Sequence, residues 1–142
     1  MNLLFGLPTM VLCLILQSLL LVAVISYYTR NKSLVSNASI WSSLVVIKGV
    51  MLLLVTGNLA QIAIWALLFW FLGEFQLFDE AFYHSAVNFS TLGYGDFVMT
   101  AEHKLLGPLE AVNGVLMIGV STSILMAGVQ DALRRTMQAR HE

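Results

Sequence analysis

Residues 73–104 carry the spacings from which chemistry can be read. Asp79 can cap a short helix, and Glu80 suits its first turn. Residues 80–90 then read as a helix of roughly 16 Å, about half a bilayer. Gly93 and Gly95 follow, and glycine admits backbone angles that a side chain forbids. Irregular backbone at membrane depth is tolerated only where protein or water surrounds it. A half-length helix followed by Gly-x-Gly therefore predicts a re-entrant loop lining a pore. No metal-ligand spacing, nucleotide loop or hydrolase triad pattern is present, so neither an enzyme nor a resident cofactor is expected.

The elements that must position this loop are apolar. The 142 residues are 58% hydrophobic and 11% charged, with a mean hydropathy of +0.84. A soluble domain carries about 25% charged residues. Such a chain lacks the polar surface to face water, and the bilayer is its natural solvent. Three stretches reach spanning length, which is about 20 residues. They run from Leu3 to about Tyr28, from about Ile40 to Leu72 and from Leu105 to about Val129. Tyr27, Tyr28, Trp41, Trp65 and Trp70 fall near their ends, where aromatic belts form. Residues 1–28 lack the basic start of a secretory signal and exceed its apolar length, so they read as a retained span. Cys13 is the single cysteine and reads as packing.

Charge placement predicts the orientation. Arg30 and Lys32 separate the first two stretches, and Arg134, Arg135 and Arg140 follow the third. Residues 73–104 carry Glu74, Asp79, Glu80, Asp96 and Glu102 against Lys104. The positive-inside rule puts residues 29–39 and the C-terminus in the cytoplasm, with the N-terminus and residues 73–104 outside. Net charge is -1 with no basic run, so no nucleic-acid partner is expected.

Ser90-Thr91-Leu92-Gly93-Tyr94-Gly95-Asp96 resembles the TVGYGD signature of pore-loop potassium channels, departing from it at Leu92. The resemblance implies an all-α membrane protein with three transmembrane helices, a re-entrant pore helix and a selectivity-filter loop. It implies a homotetramer in the bilayer, with K+ as the permeant ion. Carbonyls of Thr91, Leu92, Gly93 and Tyr94 would replace the water that K+ sheds, with the Thr91 hydroxyl as innermost ring. Gly93 and Gly95 would let the carbonyls face inward, while Leu92 and Tyr94 pack behind the filter. Asp96 would stand at the outer mouth, where acids can concentrate cations. Glu74 and Glu102 are expected to be simply solvated.

The expected organisation is an N-terminal helix and cytoplasmic linker over 1–39, a pore domain over 40–129 and a short cytoplasmic tail over 130–142. The pore domain divides into an outer helix 40–72, pore helix 80–90, filter 91–96 and inner helix 105–129. Tyr83 and His84 stand where many family members carry a tryptophan pair, and Val87 stands where some carry a carboxylate. Tyr83, His84 and Glu110 are the candidates for bracing the filter. Tyr83 is expected to bond toward Asp96, and Glu110 toward Ser85 or Asn88. His84, with an ordinary pKa near 6.5, is a candidate sensor of external pH or a hydrogen-bonded spacer. Asn58 and Gln61 read as glue between helices. Gly114 and Gly119 are hinge candidates, with close helix packing as the alternative use of glycine.

No span carries regularly spaced arginines, so a voltage sensor is not expected. Residues 130–142 are too few for a ligand domain. Gating is left to the filter, helix crossing, pH, lipid, tension or a regulatory partner. The competing readings are a weakly selective cation channel, a potassium transporter subunit and a non-conducting membrane adaptor.

Overall fold

The computed structural model describes residues 2–35 and 40–141. Its regular elements are all helical: α1 Asn2–Arg30, α2 Lys32–Val35, α3 Ile40–Phe71, α4 Phe78–Phe89 and α5 Leu106–His141. Asn2–Arg30, Trp41–Phe71 and Leu106–Gln138 are long and apolar enough to cross a bilayer. Lipid offers backbone N–H and C=O groups no partner, so spanning segments of this kind must satisfy them internally as helix. The protein is a multi-pass, all-helical membrane protein. Residues 36–39, in the linker expected between the first two spans, lie outside the described residues.

Two boundaries differ from expectation. Asp79 does not cap α4: Leu77 is the N-cap residue, with no side-chain cap bond, and Asp79 lies within the first turn. The start is set by aromatic packing, since Phe78 meets Trp70 edge-on with ring centroids 6.3 Å apart. Asp79 and Glu80 still suit the positive end of the helix. The inner helix does not stop near residue 129 but continues to His141. Residues 130–138 contain no glycine or proline and are rich in good helix formers. Arg135 Nε also donates to Asp131 Oδ2, four residues earlier, at 2.7 Å.

The chain packs as two compact units. One comprises Asn58–Ile118 and the chain up to Gln17. Its core includes Cys13, Trp65, Phe69, Phe75, Phe89, Leu106 and Met117, so α1, α3, α4 and α5 all contribute. Gln61 Nε2 donates to Gln17 Oε1 at 2.8 Å, joining α3 to α1 inside this core. Such a bond between membrane helices contributes about 0.6–2 kcal/mol. The first span is thereby tied to the segment that carries the loop.

The other unit comprises Ser18–Gly57 and the chain from Gly119 onward. Val24, Val50 and Leu54 form its main cluster. Gly49 lets the Tyr27 ring lie against α3, for a Cβ there would sit 2.1 Å from the Tyr27 hydroxyl oxygen. Ser43 and Thr136 share a buried hydrogen bond of 2.9 Å, and the Tyr28 hydroxyl donates to Asp131 Oδ2 at 2.9 Å.

Candidate functional site

The loop begins where α4 unwinds. Ala81, His84 and Ser85 recur at helical spacing on the buried side of α4. The Ser85 hydroxyl lies 2.8 Å from Ile62 O of α3 and is also hydrogen-bonded to the Glu110 carboxyl of α5, its one hydrogen serving either contact. Glu110 and Ser85 are both fully buried. One serine thus ties the short helix to both of its neighbours. Gly114, one turn further along α5, meets the last residue of α4. An added Cβ would lie 2.1 Å from Phe89 O, so only glycine fits. Gly119 has nothing within 4 Å of such an atom. Of the two hinge candidates, then, Gly114 is occupied by close packing.

The end of α4 is also the start of the loop. Thr91 N–H donates to Asn88 O at 2.9 Å and Leu92 N–H to Val87 O at 2.9 Å. With Thr91 at φ 60, this is a Schellman cap whose left-handed position holds a β-branched residue where glycine is usual. Left-handed backbone costs an L-residue roughly 1–2 kcal/mol, and such strain persists only where the surroundings enforce it. Gly93 and Gly95 follow at φ 59 and 74, and Leu92 and Tyr94 are not among the positive-φ residues. Handedness therefore alternates residue by residue from 91 to 95. In an ordinary strand successive carbonyls face opposite sides. Alternating signs of φ are the backbone pattern that can bring successive carbonyls to one side as a row of dipoles.

Residues 91–98 are exposed within the single chain. Leu92 is 58% and Tyr94 68% exposed, so neither packs behind the loop within its own chain. A broad concavity on α4, lined by Phe78, Phe82, Tyr83 and Ala86 with Asp79, is likewise open.

The outer end is held from α4. The Tyr83 hydroxyl donates to Asp96 Oδ2 at 2.8 Å. That bond holds the Asp96 carboxyl below its ordinary value, and raises the Tyr83 hydroxyl. His84 Nδ1 lies 2.9 Å from Phe97 O, and Asn88 Nδ2 lies 2.8 Å from His84 Nε2. A neutral ring satisfies both contacts when Nδ1 carries the hydrogen and Nε2 accepts. Burial lowers the His84 pKa. His84 is therefore a neutral spacer between α4 and the segment after the loop, with Phe75 4.9 Å away between ring centroids.

A third anchor was not anticipated. Glu74 is not solvated: its side chain is 3% exposed. Its Oε2 accepts the Thr100 N–H at 2.7 Å, while Oε1 takes the Thr100 hydroxyl at 2.7 Å and His103 Nδ1 at 2.5 Å. Burial raises the Glu74 carboxyl, but the Thr100 and His103 bonds outweigh it and leave the pKa below the ordinary value. The position follows from how α3 ends. Gly73 at φ 74 donates to Trp70 O and Glu74 N–H donates to Phe69 O, a second Schellman cap that aims the glutamate. One signal was available in the sequence. An acid just past a helix C-terminus opposes the helix dipole, so it is not there to stabilise that helix. Glu102, the other acid expected to be solvated, is exposed.

A family model described as ion channel matches residues 50–131, more than half of the chain. No match was found among curated proteins or solved structures.

Proposed function

The chain belongs to the ion-channel family, and from that premise we propose that it is one subunit of a homotetrameric potassium-selective channel. The observation that carries this reading is the alternation of backbone hand at Thr91, Gly93 and Gly95 in a loop hung from a half-span helix. Four such loops around an axis present stacked rings of carbonyls from Thr91, Leu92, Gly93 and Tyr94, able to replace the hydration shell of K+. The Thr91 hydroxyl adds the innermost ring. The C-terminal end of α4 offers a cation the negative pole of the helix. Asp96, kept ionised by Tyr83, stands at the outer mouth. Tyr83, His84 and Glu110 brace the loop from behind.

The tetramer is supported by what the single chain leaves uncovered. Leu92, Tyr94 and the apolar face of α4 are large groups that neighbouring copies would cover. A pore built from one copy would have carbonyls on one side only. Of the two hinge candidates in α5, Gly119 is the better supported, because among the described residues a Cβ added there would meet nothing within 4 Å. The proposed location is the plasma membrane, and charge asymmetry favours the N-terminus and filter mouth outside with the C-terminus in the cytoplasm.

Reconstitution into liposomes tests this directly. Purified protein is expected to take up K+ in preference to Na+ and to show a detergent-corrected mass of four chains. Equal uptake of the two ions contradicts potassium selectivity, and a stable monomer or dimer contradicts the assembly.

A further inference from the structure

The segment that leaves the filter, residues 97–105, has little backbone support of its own. Among the described residues its one internal backbone bond is His103 N–H to Thr100 O at 3.2 Å, with Leu106 N–H of α5 donating to His103 O at 2.9 Å. Yet this segment fixes the outer end of a loop that is strained at Thr91 and left-handed at Gly93 and Gly95. A strained backbone holds only while both of its ends are held. The inner end is part of the α4 cap. The outer end depends on side chains.

We propose that Glu74 is a positioning residue for ion selection, a strap from the end of α3 that holds the outer end of the filter in its conducting form. The inference rests on the channel reading above. The carboxylate accepts three hydrogen bonds, from Thr100 N–H, Thr100 Oγ and His103 Nδ1. Its three donors lie 26 and 29 residues away along the sequence. Its base is rigid, because the Gly73 turn closes α3 and fixes the direction of residue 74. The Glu74 and His103 side chains are 3% and 10% exposed, while Thr100 stands at the surface. The place is unfavourable for α3 itself, whose C-terminus repels an acid. The bonds it makes to the loop are what offset that repulsion. Tyr83 and His84 hold residues 96 and 97 from α4, and Glu74 holds residues 100 and 103 from α3. The outer end of the filter is thus pinned to two helices.

The test compares wild type, Glu74→Gln and Glu74→Ala as assembled protein. The glutamine keeps the shape and one acceptor, whereas alanine removes all three bonds. Losing one charge-assisted bond shifts an equilibrium about tenfold. The ratio of K+ to Na+ uptake in liposomes is expected to fall at least about tenfold in Glu74→Ala, which loses all three bonds, and by less in Glu74→Gln. Hydrogen exchange at the Thr100 amide, bonded to Glu74 Oε2 in the wild type, is expected to accelerate in the same order. A residue that only aided folding would lower yield and leave the uptake ratio of the assembled protein unchanged. If Glu74→Ala does not assemble, Glu74→Gln carries both measurements. Unchanged uptake ratio and unchanged Thr100 exchange in an assembled variant overturn the strap. If the wild type shows no preference for K+, the channel reading fails on that measurement, and Thr100 exchange still decides whether Glu74 holds the segment.

Discussion

Replacing Gly114 with alanine separates two uses of one glycine. An added Cβ would lie 2.1 Å from Phe89 O, 2.8 Å from its carbonyl carbon and 2.9 Å from its Cα, where ordinary contact begins at 3.4 Å. All three atoms are backbone, so no rotamer change relieves them. The end of α4 and the wall of α5 must part by about 1 Å, a gap that forfeits roughly a quarter to a half of each lost contact. Overpacking costs about 1–3 kcal/mol, and a rigid partner puts this site in the upper part of that range. Alanine returns about 1 kcal/mol of helix propensity. The net expectation is a loss of about 1–2 kcal/mol. Gly119→Ala meets nothing within 4 Å and should gain about 0.5–1 kcal/mol from propensity alone. Thermal unfolding of the purified protein in detergent, followed by circular dichroism, reads both. Phe89 is two residues from Thr91, so Gly114→Ala should also weaken discrimination between K+ and Na+. A Gly114→Ala protein that melts at or above the wild type, with Gly119→Ala below it, would refute the packing account.

Three further outcomes follow from the geometry. The Glu74 pKa is lowered on folding, so its stabilisation is fully present above the ordinary carboxylate value of about 4.3 and is lost as pH falls through the lowered one. The melting temperature of Glu74→Gln should therefore lie below wild type at neutral pH and converge with it in acid; parallel curves would contradict this. Tyr83→Phe removes the donor that depresses Asp96, so external acid should reduce flux at a higher pH than in the wild type. An unmoved pH profile would mean that the bond does not tune the mouth. Ser85→Ala removes the hydroxyl that bonds the Glu110 carboxyl and reaches Ile62 O at a fully buried site. That should cost about 1–3 kcal/mol in thermal unfolding, and a neutral result would show that Ser85 does not tie α4 to its neighbours.

Much of the architecture is legible in the sequence. Lipid leaves a long apolar segment no choice but helix, so length and composition alone define α1, α3 and α5. Gly93 and Gly95 declare an irregular backbone, and the left-handed angles at both positions are what glycine is there to supply. The short helix before them follows from its length and its acidic first turn. Even so, its start was misplaced, because Phe78 packing on Trp70 outweighed the capping tendency of Asp79.

The partners of the polar residues were not legible in the same way. A helix that is apolar all round does not say which side meets which neighbour. Hence nothing local distinguishes Gly114, pressed against Phe89 O, from Gly119, which meets nothing. Glu74 looked like a solvated acid because its three donors lie 26 and 29 residues away. For His84 the sequence leaves a titratable sensor and a hydrogen-bonded group both open, and Phe97 O on one side with Asn88 on the other favours the second. Backbone demands are local and are written residue by residue. Hydrogen-bond partners belong to whichever segments the packing brings together, and only the folded chain decides that.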